Sequence, residues 1–355
     1  MTVMPNLRVL LPSTCALLLL LLGTLTVAAQ SPAAPEQKPS QDQSQNSADD
    51  QSMETLKVNV DVVQLFFNVK DKKGGLIANL NKTDFQVFED GKPQTIRYFA
   101  AESDLPLTLG ILIDTSPSQG NVLQMEQQVG GSFLSQILRE KDLAFVIGFD
   151  ADVNLLQDFT SSSRALRTAL NGTHIGGGTG GGGGIAGMGG GPVPTMSHGC
   201  CTMLYDAVYL ASHDELAQQV GRKAMILLTD GEDDGSKLKI QDAIEAAQKS
   251  DSIVYVLLCA DRGFYGFGGY SGASEMEKLT KETGGRVINV GNKTDKLRDA
   301  FDQIARELRS QYNIGYVPAN RTKDGTFRKV EIKANNGGYK IQSRAGYYAI
   351  AKHDE

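Results

Sequence analysis

Apolar and polar positions alternate along residues 56–101. Val58, Val60 and Val62 share one side of VNVDVVQLFFNV, a turn follows at 71–75, and DFQVFEDGKPQTIRYF repeats the pattern. A period of two is that of a strand with one buried face. Glu89-Asp90-Gly91-Lys92 sits between two runs of β-forming residues and predicts a hairpin. From Leu107 the rhythm changes. TLGILID is an unbroken apolar run, as expected of a strand covered on both faces. Met125, Val129, Phe133 and Ile137 then recur every fourth residue, which predicts an amphipathic helix over 122–139. LAFVIGF reads as a strand, 153–156 as an antiparallel edge and 162–170 as a short helix. Further helices are expected at 203–218, 238–249, 274–282 and 294–311, separated by the strands AMILLT, IVYVLL and RVINV. Strands alternating with helices predict an α/β unit, a mostly parallel sheet with helices on both faces.

After Tyr312 the period of two returns in YNIGYV, TFRKVEIKA and YKIQSRAGYYA, with a turn at Asp324-Gly325. Each β-rich flank is too short to bury a core alone. The expectation is one small β-sandwich built from 55–103 and 312–350, with the α/β unit of 104–311 inserted between its halves. Two independent small domains are the alternative.

The remainder of the 355 residues reads differently. Arg8, the apolar run 16–22 and Val27-Ala28-Ala29 form the charged, apolar and small-residue parts of a secretory signal over 1–29. The apolar run is short for a membrane span, which needs about 20 residues, so the expectation is cleavage, no span thereafter, and a secreted or periplasmic protein. Residues 30–54 are rich in Gln, Ser, Ala, Pro and Asp, a composition that cannot offset the entropy of ordering. They are expected to form a disordered linker. With a net charge of -6 and no basic stripe, nothing points to a nucleic-acid partner.

The chemistry-bearing string is Asp114-Thr115-Ser116-Pro117-Ser118, directly after the apolar run TLGILI. Open α/β sheets gather ligands at the carboxyl ends of their strands. A carboxylate and two hydroxyls in one tight turn are hard donors suited to Mg²⁺, with Mn²⁺ or Ca²⁺ as substitutes. AMILLT runs into Asp230-Gly231 in the same way, and between the two lies Thr202, in a loop leading into a helix.

This order resembles the metal-ion-dependent adhesion site (MIDAS) of the von Willebrand factor A family: Asp-x-Ser-x-Ser, a Thr before a helix, and an Asp-Gly at a strand end. Asp114, Ser116, Ser118, Thr202 and Asp230 match its five positions. The flanks DFQVFEDGKPQTIRYF, YNIGYVPANRTKDGTFRKVEIKA and RAGYYA resemble an exported group of proteins related to that family, known mainly from acidobacteria. The resemblance implies a Rossmann-like domain over 104–311. In it, a divalent metal keeps an open coordination position, which an acidic side chain of a protein partner fills. It also implies binding without catalysis. A metal-assisted hydrolase at the same site and a structural envelope protein with an empty site are the other readings. Hydrolysis would call for a His, Lys or Glu base near the ion. One departure is Gly199-Cys200-Cys201-Thr202, where relatives carry Gly-Gly-Thr. It leaves Thr179, within the glycine-dense insert 176–191, as a rival to Thr202.

His174, His198, His213 and His353 are expected to be solvated. Glu232, Asp233 and Asp234 form a solvated loop, a second cation site or an acidic rim that selects partners. The glycine insert is expected to be flexible, and a lid over the metal face is one role for it. Phe264, Tyr265, Phe267 and Tyr270 form either a contact surface or loop packing. Cys259 is expected to form a disulfide with Cys200 or Cys201, pinning the loop of Thr202.

Overall fold

A computed structural model describes residues 62–101, 105–176, 201–260 and 272–350. The signal-like segment, the 30–54 linker, Thr179 and most of the glycine insert, Cys200, His198, His353 and the aromatic loop at 264–270 lie outside the described residues.

Six strands form the central sheet: β5 (Leu107–Asp114), β6 (Leu143–Phe149), β7 (Val153–Thr160), β8 (Arg222–Thr229), β9 (Ser252–Leu258) and β10 (Val287–Asn289). Their order is β10-β9-β8-β5-β6-β7. All neighbours run parallel except β7, which is antiparallel to β6. Sequence pattern places this edge strand at 153–156, but it continues to Thr160. Leu155 and Leu156 are exposed on it, so its outer half carries no buried alternation to read.

The helices are α1 (Leu123–Ile137), α2 (Ser163–Asn171), α3 (Leu204–Leu210), α4 (Ile240–Lys249), α5 (Gly272–Thr283) and α6 (Thr294–Arg309). A π-helical turn, Ala211–Leu216, extends α3. Every residue of β5 is buried, and its side chains divide between two cores. Leu107, Leu109, Ile111 and Ile113 pack with α1, α2 and α6. Leu112 packs with α3, α4 and α5 on the other face. The side chain alternation of a strand thus builds two apolar layers from one continuous run. Gly110 faces the Phe145 ring so closely that a Cβ there would fall 2.5 Å from it.

The flanking strands are β1 (Val63–Lys70), β2 (Phe85–Glu89), β3 (Lys92–Gln94), β4 (Ile96–Ala101), β11 (Tyr312–Tyr316), β12 (Phe327–Ala334), β13 (Lys340–Ser343) and β14 (Gly346–Tyr348). They form two four-stranded sheets, β13-β1-β11-β4 and β14-β12-β2-β3. Each sheet mixes strands from before and after the α/β unit: β1 pairs with β11, and β2 with β12. This interleaving replaces the alternative of two independent domains with one sandwich. Its core holds Leu65, Phe67, Phe85, Val87, Tyr312, Ile314 and Tyr316. At the β2–β3 hairpin, Asp90 and Gly91 both have positive φ (47° and 77°), as a tight turn of this hand requires.

Two buried carboxylates secure the β-rich part. Glu89 accepts hydrogen bonds from the hydroxyls of Tyr316 (2.7 Å) and Tyr347 (2.9 Å). Glu307, near the end of α6, pairs with Lys70 of β1 (2.9 Å) and Arg286 (2.7 Å), while its backbone oxygen accepts from Asn68 (2.8 Å). The last helix of the α/β unit is thereby tied to the first strand of the sandwich.

Candidate metal centre

The chain builds β5, β6 and β7 toward one side, then places β8 on the other side of β5 and continues outward to β10. The point of reversal lies between β5 and β8, and at such a point the connections diverge and leave a crevice at the carboxyl ends of the strands. Asp114 is the last residue of β5, and Asp230 directly follows β8. The two carboxylates therefore flank the reversal.

Asp114 is fully buried. Its Oδ1 accepts from the Ser116 backbone N–H (2.9 Å) and its Oδ2 from the Thr229 hydroxyl (2.6 Å), both neutral donors. Burial, and next the charge of Asp230, push its pKa up to about 7, against the lowering effect of those hydrogen bonds. Ser116 and Ser118 bring their hydroxyls to 3.0 Å of each other. A short 3₁₀ turn, Pro117–Gln119, makes this possible, with Pro117 pre-set for its first position. Asp230 is buried as well, and its Oδ1 accepts from the Glu232 N–H (3.2 Å). Gly231 turns the chain beneath it with φ 86°, a conformation natural to glycine.

The loop of Thr202 is fixed by backbone pairing. Thr202 N–H donates to Asp234 O (3.0 Å) and Asp234 N–H to Thr202 O (3.1 Å), while Met203 N–H reaches Asp150 O at the end of β6 (2.8 Å). Asp150 in turn accepts from the Thr115 hydroxyl (2.9 Å). Thr202 is thus anchored beside the ends of β6 and β8, at the entry to α3.

The loop after Asp230 is spoken for. Asp233 accepts from the Ser236 hydroxyl (2.5 Å) and the Tyr205 N–H (3.1 Å), and Glu232 from the Gly272 N–H (3.0 Å). These carboxylates hold the starts of α3 and α5. His174 and His213 are exposed, and His213 stacks on Tyr209.

Cys259, expected to bridge to Cys200 or Cys201, is a free thiol. Cys201 lies against Gly235, with φ 110°, whereas Cys259 is fully buried in the core shared with α1. The last residue of a strand run points either up to the loops or down into a helix-covered core, and the sequence of the run does not say which.

Two contributors escape sequence pattern. Thr229 belongs to an apolar run, yet its hydroxyl holds Asp114. Glu126 puts a carboxyl group on the inward face of α1, and its position three residues before Val129 is the sign that could have marked it.

Among the described residues, no three His, Cys, Asp or Glu side chains are grouped at metal-holding spacing. An ion here would rest on two carboxylates and on hydroxyls. The donor set fits one: all its atoms are hard oxygens, and the buried carboxyl of Asp114 gains from a positive charge nearby.

No family model matches the chain, and no curated protein matches it. Solved structures give faint likenesses. BatB from Bacteroides thetaiotaomicron is 17% identical with a TM-score of 0.42, over 57% of this chain and 100% of that one. The vWF domain of the type V pili tip protein Mfa5 from Porphyromonas gingivalis is 14% identical with a TM-score of 0.42, over 57% and 94%. Proximal thread matrix protein 1 from the mussel byssus, with a zinc-occupied MIDAS motif, is 15% identical with a TM-score of 0.44, over 61% and 48%. Such values are too low to carry a conclusion, which rests instead on strand order and on the residues at the crevice.

Proposed function

We propose that the protein is a secreted or periplasmic, von Willebrand factor A-like binding module that captures a protein partner through one divalent cation, without catalysis. The observation that carries this is Asp114: a fully buried carboxylate with neutral hydrogen-bond partners, at the reversal point of the sheet and beside Asp230. Glu307, by contrast, is matched by Lys70 and Arg286.

In this proposal Asp114, Ser116, Ser118, Thr202 and Asp230 hold the cation, which is Mg²⁺, Mn²⁺ or Ca²⁺. The ion supplies an electron-poor coordination position that an acidic side chain of the partner fills. Thr229 and the Ser116 N–H orient the Asp114 carboxylate. The 3₁₀ turn sets the two serine hydroxyls side by side, and the backbone pair Thr202–Asp234 fixes the third hydroxyl's loop. Because these groups are positioned before any partner arrives, little ordering cost falls on binding.

Mn²⁺ uptake followed by the loss of the free ion's paramagnetic resonance signal tests this. The protein is expected to take up one ion saturably and Asp114→Ala none. Acetate, a probe of the open position, should then perturb the spectrum of the bound ion. Uptake that ignores Asp114→Ala, or no uptake at all, would retire the proposal.

A further inference from the structure

Beneath the crevice, α1 turns a carboxylate into the core. Glu126 is fully buried, and neither of its oxygens has a hydrogen-bond partner of ordinary geometry. The Cys259 thiol just beyond the end of β9 interacts with it, and Asp114 and Asp230 lie within electrostatic reach. These three are the titratable groups that bear on it. The helices packed against α1 bring apolar side chains to the shared core: Leu166 and Leu170 from α2, and Leu297, Phe301 and Ile304 from α6. A buried acid without a partner destabilises a fold, and an apolar residue of similar volume would serve the core better. Its place, under two carboxylates that already lack room for more charge, gives it a use.

We propose that Glu126 is a third carboxylate of the metal centre, acting on a bound cation through its charge and not as a ligand, so that cation uptake and the proton on Glu126 are linked. This rests on the metal reading above. Burial, with the charges of Asp114 and Asp230 adding to it, holds the carboxyl up to about 8, so in the metal-free protein it keeps its proton at neutral pH. A cation at the crevice cancels the field of the two aspartates. The Glu126 proton is then released more readily, and by reciprocity the cation binds more tightly where Glu126 is ionised. The isosteric Gln has the shape of the neutral acid and cannot follow this change.

The test compares the protein with Glu126→Gln by calorimetric titration with Mn²⁺, from about pH 6 to about pH 9, in buffers of different ionisation enthalpy. Near pH 6 the two are expected to bind alike. Toward pH 9 the unsubstituted protein should bind several-fold more tightly than E126Q and release more protons per ion. A metal-free readout accompanies this. An acid whose folded value lies above its unfolded one loses stability as pH rises from about 4.5 through about 8. The midpoint of the unsubstituted protein should therefore fall relative to E126Q across that window. Should E126Q not fold, the infrared band of a protonated carboxyl in the unsubstituted protein at about pH 8, where Asp114 with its pKa of about 7 is already largely ionised, and its bleaching by Mn²⁺ report the same event. Parallel pH profiles and equal proton release, with Mn²⁺ bound by both, would overturn the role of Glu126 and leave the metal centre standing. No Mn²⁺ uptake by the unsubstituted protein would overturn both.

Discussion

Glu307 and Asp114 are both buried carboxylates of the same unit, and they are treated in opposite ways. Glu307 faces two cations, Lys70 and Arg286, at 2.9 and 2.7 Å. Asp114 is held by neutral donors and sits beside a second carboxylate, Asp230. The first pattern is complete within the chain and fastens α6 to the sandwich. The second is charged beyond what the chain itself balances. Neither burial nor neutral donors alone mark an acid as functional, since Glu89 is also buried and held by two hydroxyls; what sets Asp114 apart is the second carboxylate, Asp230, that acts on it.

Substitutions should pull this comparison apart. The largest effect is expected from Glu307→Ala, which strands two cations at the junction. Breaking a buried pair this way costs about 3–5 kcal/mol, read as a lowered denaturation midpoint that added Mg²⁺ or EDTA shifts equally in mutant and parent. Next, Asp114→Ala should leave the metal-free protein as stable as the parent or more so, because it removes a desolvated charge. It should also abolish a cation-dependent gain of about 2.7 kcal/mol at a hundredfold excess over Kd. Thr229→Val comes third. It removes a neutral hydrogen bond to Asp114 and should cost about 1–2 kcal/mol of stability and loosen Mn²⁺ binding, both visible in one titration series. The smallest effect is expected from Tyr316→Phe, about 1 kcal/mol, since Tyr347 still donates to Glu89. It should leave cation binding untouched.

The comparison also carries a pH signature. Asp114 must be ionised to hold a cation, and its pKa stands at about 7. Cation affinity should thus fall as pH drops through 7, because protons compete for the same oxygen atoms. An affinity flat from about pH 5 to about pH 8 would mean that Asp114 is not a ligand.

Much of this was written plainly in the chain. The unbroken run TLGILID could only be a strand covered on both faces, and the change from period two to strand–helix alternation marked where the sandwich gives way to the α/β unit. Asp114, Ser116 and Ser118 share one turn, so their convergence follows from local geometry. Elsewhere the pattern was silent. The pairing of β1 with β11 joins residues some 250 positions apart in the chain, and short alternating strands do not name their partners. The Cys259 disulfide was misjudged because compartment and cysteine count say nothing about which face of a sheet a side chain meets. Thr229 was hidden by its apolar neighbours, and Glu126 by a helical stripe that reads well without it.

The most direct measurement of the central claim is thermal unfolding of the protein in EDTA and then with Mg²⁺, Mn²⁺ or Ca²⁺, alongside Asp114→Ala. A ligand that binds only the native state must raise the midpoint. A rise with at least one of these ions that vanishes in Asp114→Ala is the expected result. A midpoint indifferent to all three ions, or raised equally in the mutant, would contradict a cation centre at Asp114.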